Sequence, residues 1–197
     1  MTVALLLISD GREDYLQQTR RSAALCLPEF DQTIHIDDTA HVLGYAGAIQ
    51  AGWDLLHPDI DYVFHLEADF TFNRPVPLDD MRQVLDENPH LTQLALLRQP
   101  WNRSEQLAGG VWQQHPDSYT RCGAYPRQWM EHARFWTTNP CLYPRWVADR
   151  GWPRVPQSEG MFGLKLFAED PARRAAFWGA GEEWVTHIGQ ERSGHGY

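Results

Sequence analysis

Tyr62-Val63-Phe64-His65-Leu66-Glu67-Ala68-Asp69 decides the fold. The first five residues are β-prone and nearly all apolar, as in a strand buried on both faces. Two acids at i and i+2 follow directly. Strands buried in this way belong to parallel sheets, whose ligands gather beyond the carboxyl ends of the strands. Two oxygen-bearing side chains at such a place suit a hard divalent ion, Mg²⁺ or Mn²⁺.

Strand and helix patterns alternate on both sides of this stretch. Val3 to Ile8 is a continuous aliphatic run. Asp14 to Leu27 places Leu16, Thr19, Ala23 and Cys26 at helical spacing and stops at Pro28. Thr33 to Ile36 is a short β-prone run ending in Asp37-Asp38, and His41 to Leu56 reads as a helix closed by His57-Pro58. Leu78 to Glu87 is a further helix and Leu94 to Leu97 a further strand. The expected fold class is therefore α/β, with a mostly parallel central sheet flanked by helices. Residues 98–154 are rich in Trp, Arg, Pro and Gly and lack periodicity; long loops and short strands such as Arg134 to Thr138 are expected there. Ser158 to Ala168 reads as a helix with Ser158 as its N-cap, and Trp184 to Ile188 as a last strand. No linker or repeat interrupts residues 1–197, so one domain is expected, divided into halves at 1–97 and 98–197.

Composition narrows the function. The chain has 197 residues, of which 43% are apolar, enough for a core and too many for a disordered chain. Its longest aliphatic run, Val3 to Ile8, falls far short of the roughly 20 residues of a membrane span and follows no charged leader. Three cysteines, Cys26, Cys122 and Cys141, form no C-x-x-C pair, and a reducing, cytoplasmic setting is expected. The net charge of −9 argues at first against a nucleic-acid partner. Yet residues 98–154 carry eight arginines against four acids, together with six of the nine tryptophans. Cations interleaved with flat aromatic faces suit unstacked bases and phosphates, and the same faces suit pyranoses. Arg98, Trp101, Arg103 and Trp136 are the acceptor-binding candidates in this region.

Other positions add to the acid pair. Ser9-Asp10-Gly11-Arg12 follows the first strand and reaches the same sheet edge; Arg12 there suits a phosphate or a plain solvated turn. Asp37 and Asp38 follow the second strand, where an acid can accept from a ribose or a base N–H. Gly44, Ala48 and Gly52 form a small-residue stripe that allows close approach to the sheet or to a ligand. Glu159 at a helix start is either a general base or an acid favoured by the helix dipole. His187 lies on the last strand, and Gly189, Arg192, Gly194 and Gly196 follow it in a loop able to fold over a diphosphate. There is no G-x-G-x-x-G after the first strand, no P-loop, no G-x-S-x-G elbow and no zinc-hydrolase spacing.

In this order the motifs resemble the GT-A glycosyltransferases, especially their small inverting branch, over nearly the whole chain. Glu67-Ala68-Asp69 in "VFHLEADFTF" is similar to the family's D-x-D, with Glu for the first Asp. The resemblance implies a Rossmann-like GT-A domain whose first half binds a nucleotide-sugar, a UDP-sugar above all, and whose second half binds the acceptor. It further implies that Asp69 binds Mn²⁺ or Mg²⁺ with His187, and that Glu67 meets ribose or a metal-bound water. Ser9, Arg12, Asp37, Asp38 and Arg192 would hold the rest of the donor. Glu159 in "QSEGMFGLKL" resembles the base of the E-D motif, with Gly160 replacing its second acid. The tail "HIGQERSGHGY" and the length also look similar to small phage-encoded glycosyltransferases, some of which modify hydroxymethylated pyrimidines such as 5-hydroxymethylcytosine in DNA. Hydroxymethylated phage DNA is thus the acceptor the resemblance implies first, and a glycan or small molecule is the alternative. Two further classes compete. A sugar-phosphate nucleotidyltransferase would carry a glycine-rich first loop, and Ser9-Asp10-Gly11-Arg12 is poor in glycine. A non-catalytic carbohydrate- or nucleic-acid-binding module would not need Glu67, Asp69, Glu159 and His187.

Overall fold

The computed structural model describes residues 1–189. The aliphatic run at the amino end forms Val3–Ser9 (β1), and Glu13–Cys26 (α1) carries the chain to Gln32–Asp37 (β2), parallel to β1. Gly44–Asp54 (α2) leads to Tyr62–Glu67 (β3), which pairs in parallel with the other edge of β1. After the acid pair come Phe70–Phe72 (β4), Leu78–Glu87 (α3) and Leu91–Ala95 (β5). The second half supplies Arg103–Ala108 (α4), Thr120–Ala124 (β6), Arg127–His132 (β7), Cys141–Pro144 (β8), Arg145–Ala148 (α5), Ser158–Glu169 (α6), Arg174–Trp178 (β9) and Val185–His187 (β10).

Eight strands form one sheet in the order β2-β1-β3-β8-β5-β9-β7-β6. β8 runs antiparallel between β3 and β5, and β7 runs antiparallel between β9 and β6. The other six strands share one direction, and in that sense the sheet is mostly parallel, with three of its seven pairings parallel and four antiparallel. β4 and β10 pair separately as an antiparallel ribbon, with Phe70 opposite His187. Among the described residues no helix is long and apolar enough to cross a membrane.

Each face of the sheet carries its own core. β1 shows why its residues are aliphatic throughout: Val3 and Leu7 join Leu16 of α1 and Met81 and Val84 of α3 on one face. Ala4, Leu6 and Ile8 join Ile49 and Trp53 of α2 and Phe162 and Leu166 of α6 on the other. The period of two in a strand requires both sets to be apolar when both faces are covered. The small-residue stripe of α2 divides: Ala48 and Gly52 are buried against the sheet, where a Cβ on Gly52 would lie 2.3 Å from Leu6 Cδ1, while Gly44 lines the cleft and a Cβ there would meet nothing. A sharper case is Gly163 of α6, where a Cβ would lie 2.7 Å from the Trp136 backbone nitrogen. Backbone cannot yield as a side-chain tip can. Gly163→Ala is expected to cost about 1–3 kcal/mol, read as a lower urea midpoint with the slope unchanged.

Several expectations are corrected. The second helix starts at Gly44 rather than His41, because the N–H groups of Val42, Leu43 and Gly44 turn back onto the Asp38 carboxylate. The strand expected at Leu94 to Leu97 is Leu91–Ala95; Leu96 and Leu97 stay buried but bond to Pro140 and to the segment at Trp184. Arg134 to Thr138 is a loop, and the strands of the second half lie elsewhere, at β6, β7, β8 and β9. Ser158 is the first residue of α6, while its N-cap is Gln157 at φ 55°, a left-handed conformation that costs a non-glycine residue free energy.

Candidate active site

The acid pair straddles the end of β3: Glu67 is its last residue, and Asp69 lies in the turn to β4. The Ala68 N–H donates to the Ile8 carbonyl at 2.9 Å, and the Asp69 carbonyl accepts from the Ile188 N–H at 2.8 Å. The ribbon of β4 and β10 thereby brings His187 beside Asp69, with Nε2 3.2 Å from Oδ2. Gln99 fixes His187 from the main-chain side, accepting from its N–H at 2.9 Å and donating to its carbonyl at 2.8 Å. The imidazole lies between the rings of Phe70 and Trp101, at centroid distances of 4.5 and 4.0 Å. Asp69 is 1% exposed, and its Oδ2 also accepts from Arg12 Nη2 at 3.0 Å. Arg12 Nε in turn donates to both oxygens of Asp10, at 2.9 and 2.8 Å.

A cleft of about 710 Å³ opens beside this cluster. Glu67, Arg98, Trp101, Glu159 and His187 line it, so the structure brings five of the sequence candidates to one place. Glu159 sits in the first turn of α6, and its Oε1 accepts from Thr138 N–H at 2.7 Å and from Thr138 Oγ1 at 3.2 Å. Burial pushes its carboxyl pKa up; the Thr138 hydrogen bonds oppose this and the Glu67 charge adds to it. Arg98 is held by Glu105 at 2.7 Å and lies over the Trp101 ring at 5.7 Å. A narrow annex of about 30 Å³, lined by Ser9, Asp10, Arg12, Asp38 and Asp69, shares Tyr45 and Glu67 with the cleft.

Other candidates lie differently. Asp38 is buried and caps α2, so both its oxygens are committed to main-chain N–H groups. Asp38→Ala is expected to cost about 2 kcal/mol as these donors lose their acceptor; an unchanged urea midpoint would contradict that assignment. Asp37 stays exposed, accepting from Ser9 Oγ at 3.0 Å and Thr39 Oγ1 at 2.6 Å, and the Thr39 bond holds its carboxyl below the usual range. Trp136 is 1% exposed and packs against Tyr143, Trp152 and Phe162 in the core, bordering with Arg98 and Glu159 a cavity of about 300 Å³. Arg103 is exposed at the start of α4 and lines none of these cavities. Arg192 lies outside the described residues. Sequence reasoning missed Tyr45, Thr138, Gln99 and Asp10. Only Tyr45 carries a signal, as the lone large polar residue in a small-residue helix start.

The donor set at Asp69 and His187 fits a divalent ion by its chemistry. Among the described residues no three His, Cys, Asp or Glu side chains converge on one point. A carboxylate and an imidazole nevertheless suit Mn²⁺, and a hard ion of this kind takes the rest of its shell from phosphate and water.

This arrangement is an α/β fold of the Rossmann-like GT-A kind. No family model and no curated protein matches the sequence. Among solved structures, the mannosyltransferase PcManGT from Pyrobaculum calidifontis, in complex with GDP-Man and Mn²⁺, superposes with a TM-score of 0.66 at 11% identity, covering 97% of this chain and 58% of that one. TarS 1-349 of S. aureus superposes at 0.64 with 12% identity, covering 95% of this chain and 60% of that one. Its complex with UDP-GlcNAc gives 0.63 at 14% identity, covering 99% and 60%. The chain thus spans about 60% of the length of these proteins, and the likeness is one of fold.

Proposed function

We propose that the chain is a metal-dependent inverting glycosyltransferase that moves a sugar from a nucleotide-sugar to an acceptor hydroxyl. One observation carries this reading: the Asp69–His187 pair adjoins, and Glu159 lines, a single cleft large enough for a nucleotide-sugar. The fold shared with proteins bound to GDP-Man and UDP-GlcNAc supports it. Asp69 and His187 would hold Mn²⁺ or Mg²⁺, which supplies Lewis-acid neutralisation of a diphosphate. Glu159 takes the proton of the acceptor hydroxyl as that oxygen attacks the anomeric carbon and the nucleoside diphosphate leaves. A base with a raised pKa is matched to that task. Ser9, which lines the annex, and Asp37, bonded to it, are proposed to meet the nucleoside, with Arg12 behind Asp69, and Arg192 is proposed to meet the diphosphate. Trp101 and Arg98 border the acceptor.

For the acceptor, the structure favours a compact molecule over a DNA strand. Trp129, Trp136 and Trp152 of the aromatic-rich region are core residues. Arg98, Arg127, Arg145 and Arg150 are paired with Glu105, Glu87, Asp149 and Glu169. Trp101 remains at the cleft to stack on a pyranose ring. The test incubates the chain with Mn²⁺, UDP-glucose, UDP-GlcNAc or GDP-mannose, and either soluble glycans or DNA with and without 5-hydroxymethylcytosine. A glycan that gains one sugar mass is the expected product. A nucleoside that gains it, with no glycan modified, would restore DNA as acceptor, and consumption of no donor would overturn the activity.

A further inference from the structure

Glu159 does not stand alone in the cleft. Thr138 meets its Oε1 with two donors, the main-chain N–H at 2.7 Å and the hydroxyl at 3.2 Å. A threonine hydroxyl has one proton. With that proton given to Glu159, the Thr138 oxygen is open to accept from the Tyr45 hydroxyl, with which it is hydrogen-bonded and which also meets Glu67. Tyr45 comes from the first turn of α2, Thr138 from the loop before β8, and Glu159 from the first turn of α6. The three groups therefore tie together separate elements around the cleft.

We propose that Tyr45 and Thr138 are positioning residues for Glu159: the chain Tyr45 O–H to Thr138 O–H to Glu159 Oε1 fixes the carboxylate and leaves Oε2 to receive the acceptor's proton. The catalytic consequence rests on the glycosyltransferase reading above, whereas the hydrogen-bond chain itself does not. The carboxylate's surroundings are mixed. Glu67 from β3, Cys141 from β8 and Tyr45 from α2 all interact with it electrostatically, the Thr137 hydroxyl is a further donor to it that favours the anion, and Arg98 and His187 line the same cleft. Burial and Glu67 favour the neutral acid, and the Thr138 donors favour the anion. Tyr45 is half-buried in the cleft wall, and its hydroxyl stays protonated: desolvation, the charges of Glu67 and Glu159 and a hydrogen bond to Glu67 raise its pKa well above the usual tyrosine range, against an opposing hydrogen bond to Thr138.

Two measurements on the intact chain test this. The first follows the Glu159 side-chain carbon by ¹³C NMR across pH, assigned by its absence in Glu159→Gln. Thr138→Val keeps the shape and the N–H donor but removes the hydroxyl, and should raise the Glu159 pKa by about 1 unit. Tyr45→Phe should raise it in the same direction by less, and Thr138→Ser should restore the wild-type value. The second measures release of nucleoside diphosphate from the donor that wild type accepts. Thr138→Val should lower kcat about tenfold near the acid limb with donor KM unchanged, and Thr138→Ser should recover it. A Glu159 titration unmoved in folded Thr138→Val, or Thr138→Ser as impaired as Thr138→Val, overturns the proposal. If Thr138→Val does not fold, Tyr45→Phe decides, and an unmoved titration in that variant counts against it. No turnover by wild type with any donor defeats the glycosyltransferase reading instead, and the NMR titration still decides the placement.

Discussion

Asp69→Asn is expected to lower metal-dependent turnover by about 10³-fold, the scale on which removal of a metal's carboxylate ligand removes several kcal/mol of transition-state stabilisation. Asparagine keeps the size of the side chain and an oxygen for His187, so the packing against Phe70 and Trp101 should persist. Arg12 would retain Asp10, its bidentate partner. Loss of activity with an unchanged melting curve would therefore report on chemistry and not on folding. The measurement is donor turnover at rising Mn²⁺, with binding of Mn²⁺ alone followed by calorimetry. Full activity of the variant, or wild-type turnover undiminished in EDTA, would remove Asp69 and the metal from the mechanism.

Glu159→Gln should cost about 10³-fold in kcat and leave the donor KM near its wild-type value, since the lost group is the one proposed to take the acceptor's proton. Its effect on stability should have the opposite sign. Burial raises the Glu159 pKa above the ordinary carboxyl range, so the folded chain holds that proton more tightly than the unfolded chain does. The associated stability is full below the unfolded carboxyl pKa of about 4.3 and is lost as pH rises through the raised folded value. Glutamine carries no titrating proton. The variant should therefore lack this decline and should be at least as stable as wild type at neutral pH. Urea unfolding across pH checks it. A wild type that gains stability over that window more than Glu159→Gln does would contradict the raised pKa.

The first half of the fold could be read in the sequence because its strands are buried on both faces. Such strands must be largely apolar on both faces, as residues 3–8 and most of residues 62–66 are. The second half could not. Thr120–Ala124 is mostly exposed at the sheet edge and carries neither alternation nor a hydrophobic run. Cys141–Pro144 is buried but only four residues long and flanked by prolines, too short for any period to show. The candidate site divides in the same manner. Glu67, Asp69, Glu159 and His187 stand at element ends, where local sequence shows them. Asp38 was legible as an acid after a strand, but not as a cap, because its partners lie up to six residues further on at Gly44. Tryptophan serves core and surface alike, so Trp101 at the cleft and Trp136 in the core could not be told apart before their packing was known. Thr138 gave no signal, since a loop threonine acquires its role only from what folds against it.

The placement of β8 has a consequence for how this chain can be taken apart. It fills the gap between β3 and β5, so strands made early are joined only through one made much later. A fragment ending before residue 141 would expose two facing strand edges with no hydrogen-bond partner between them, an open invitation to aggregation. The two halves are thus stitched together rather than laid end to end. Neither can be exchanged as a cassette with another enzyme unless this four-residue stitch is kept in register.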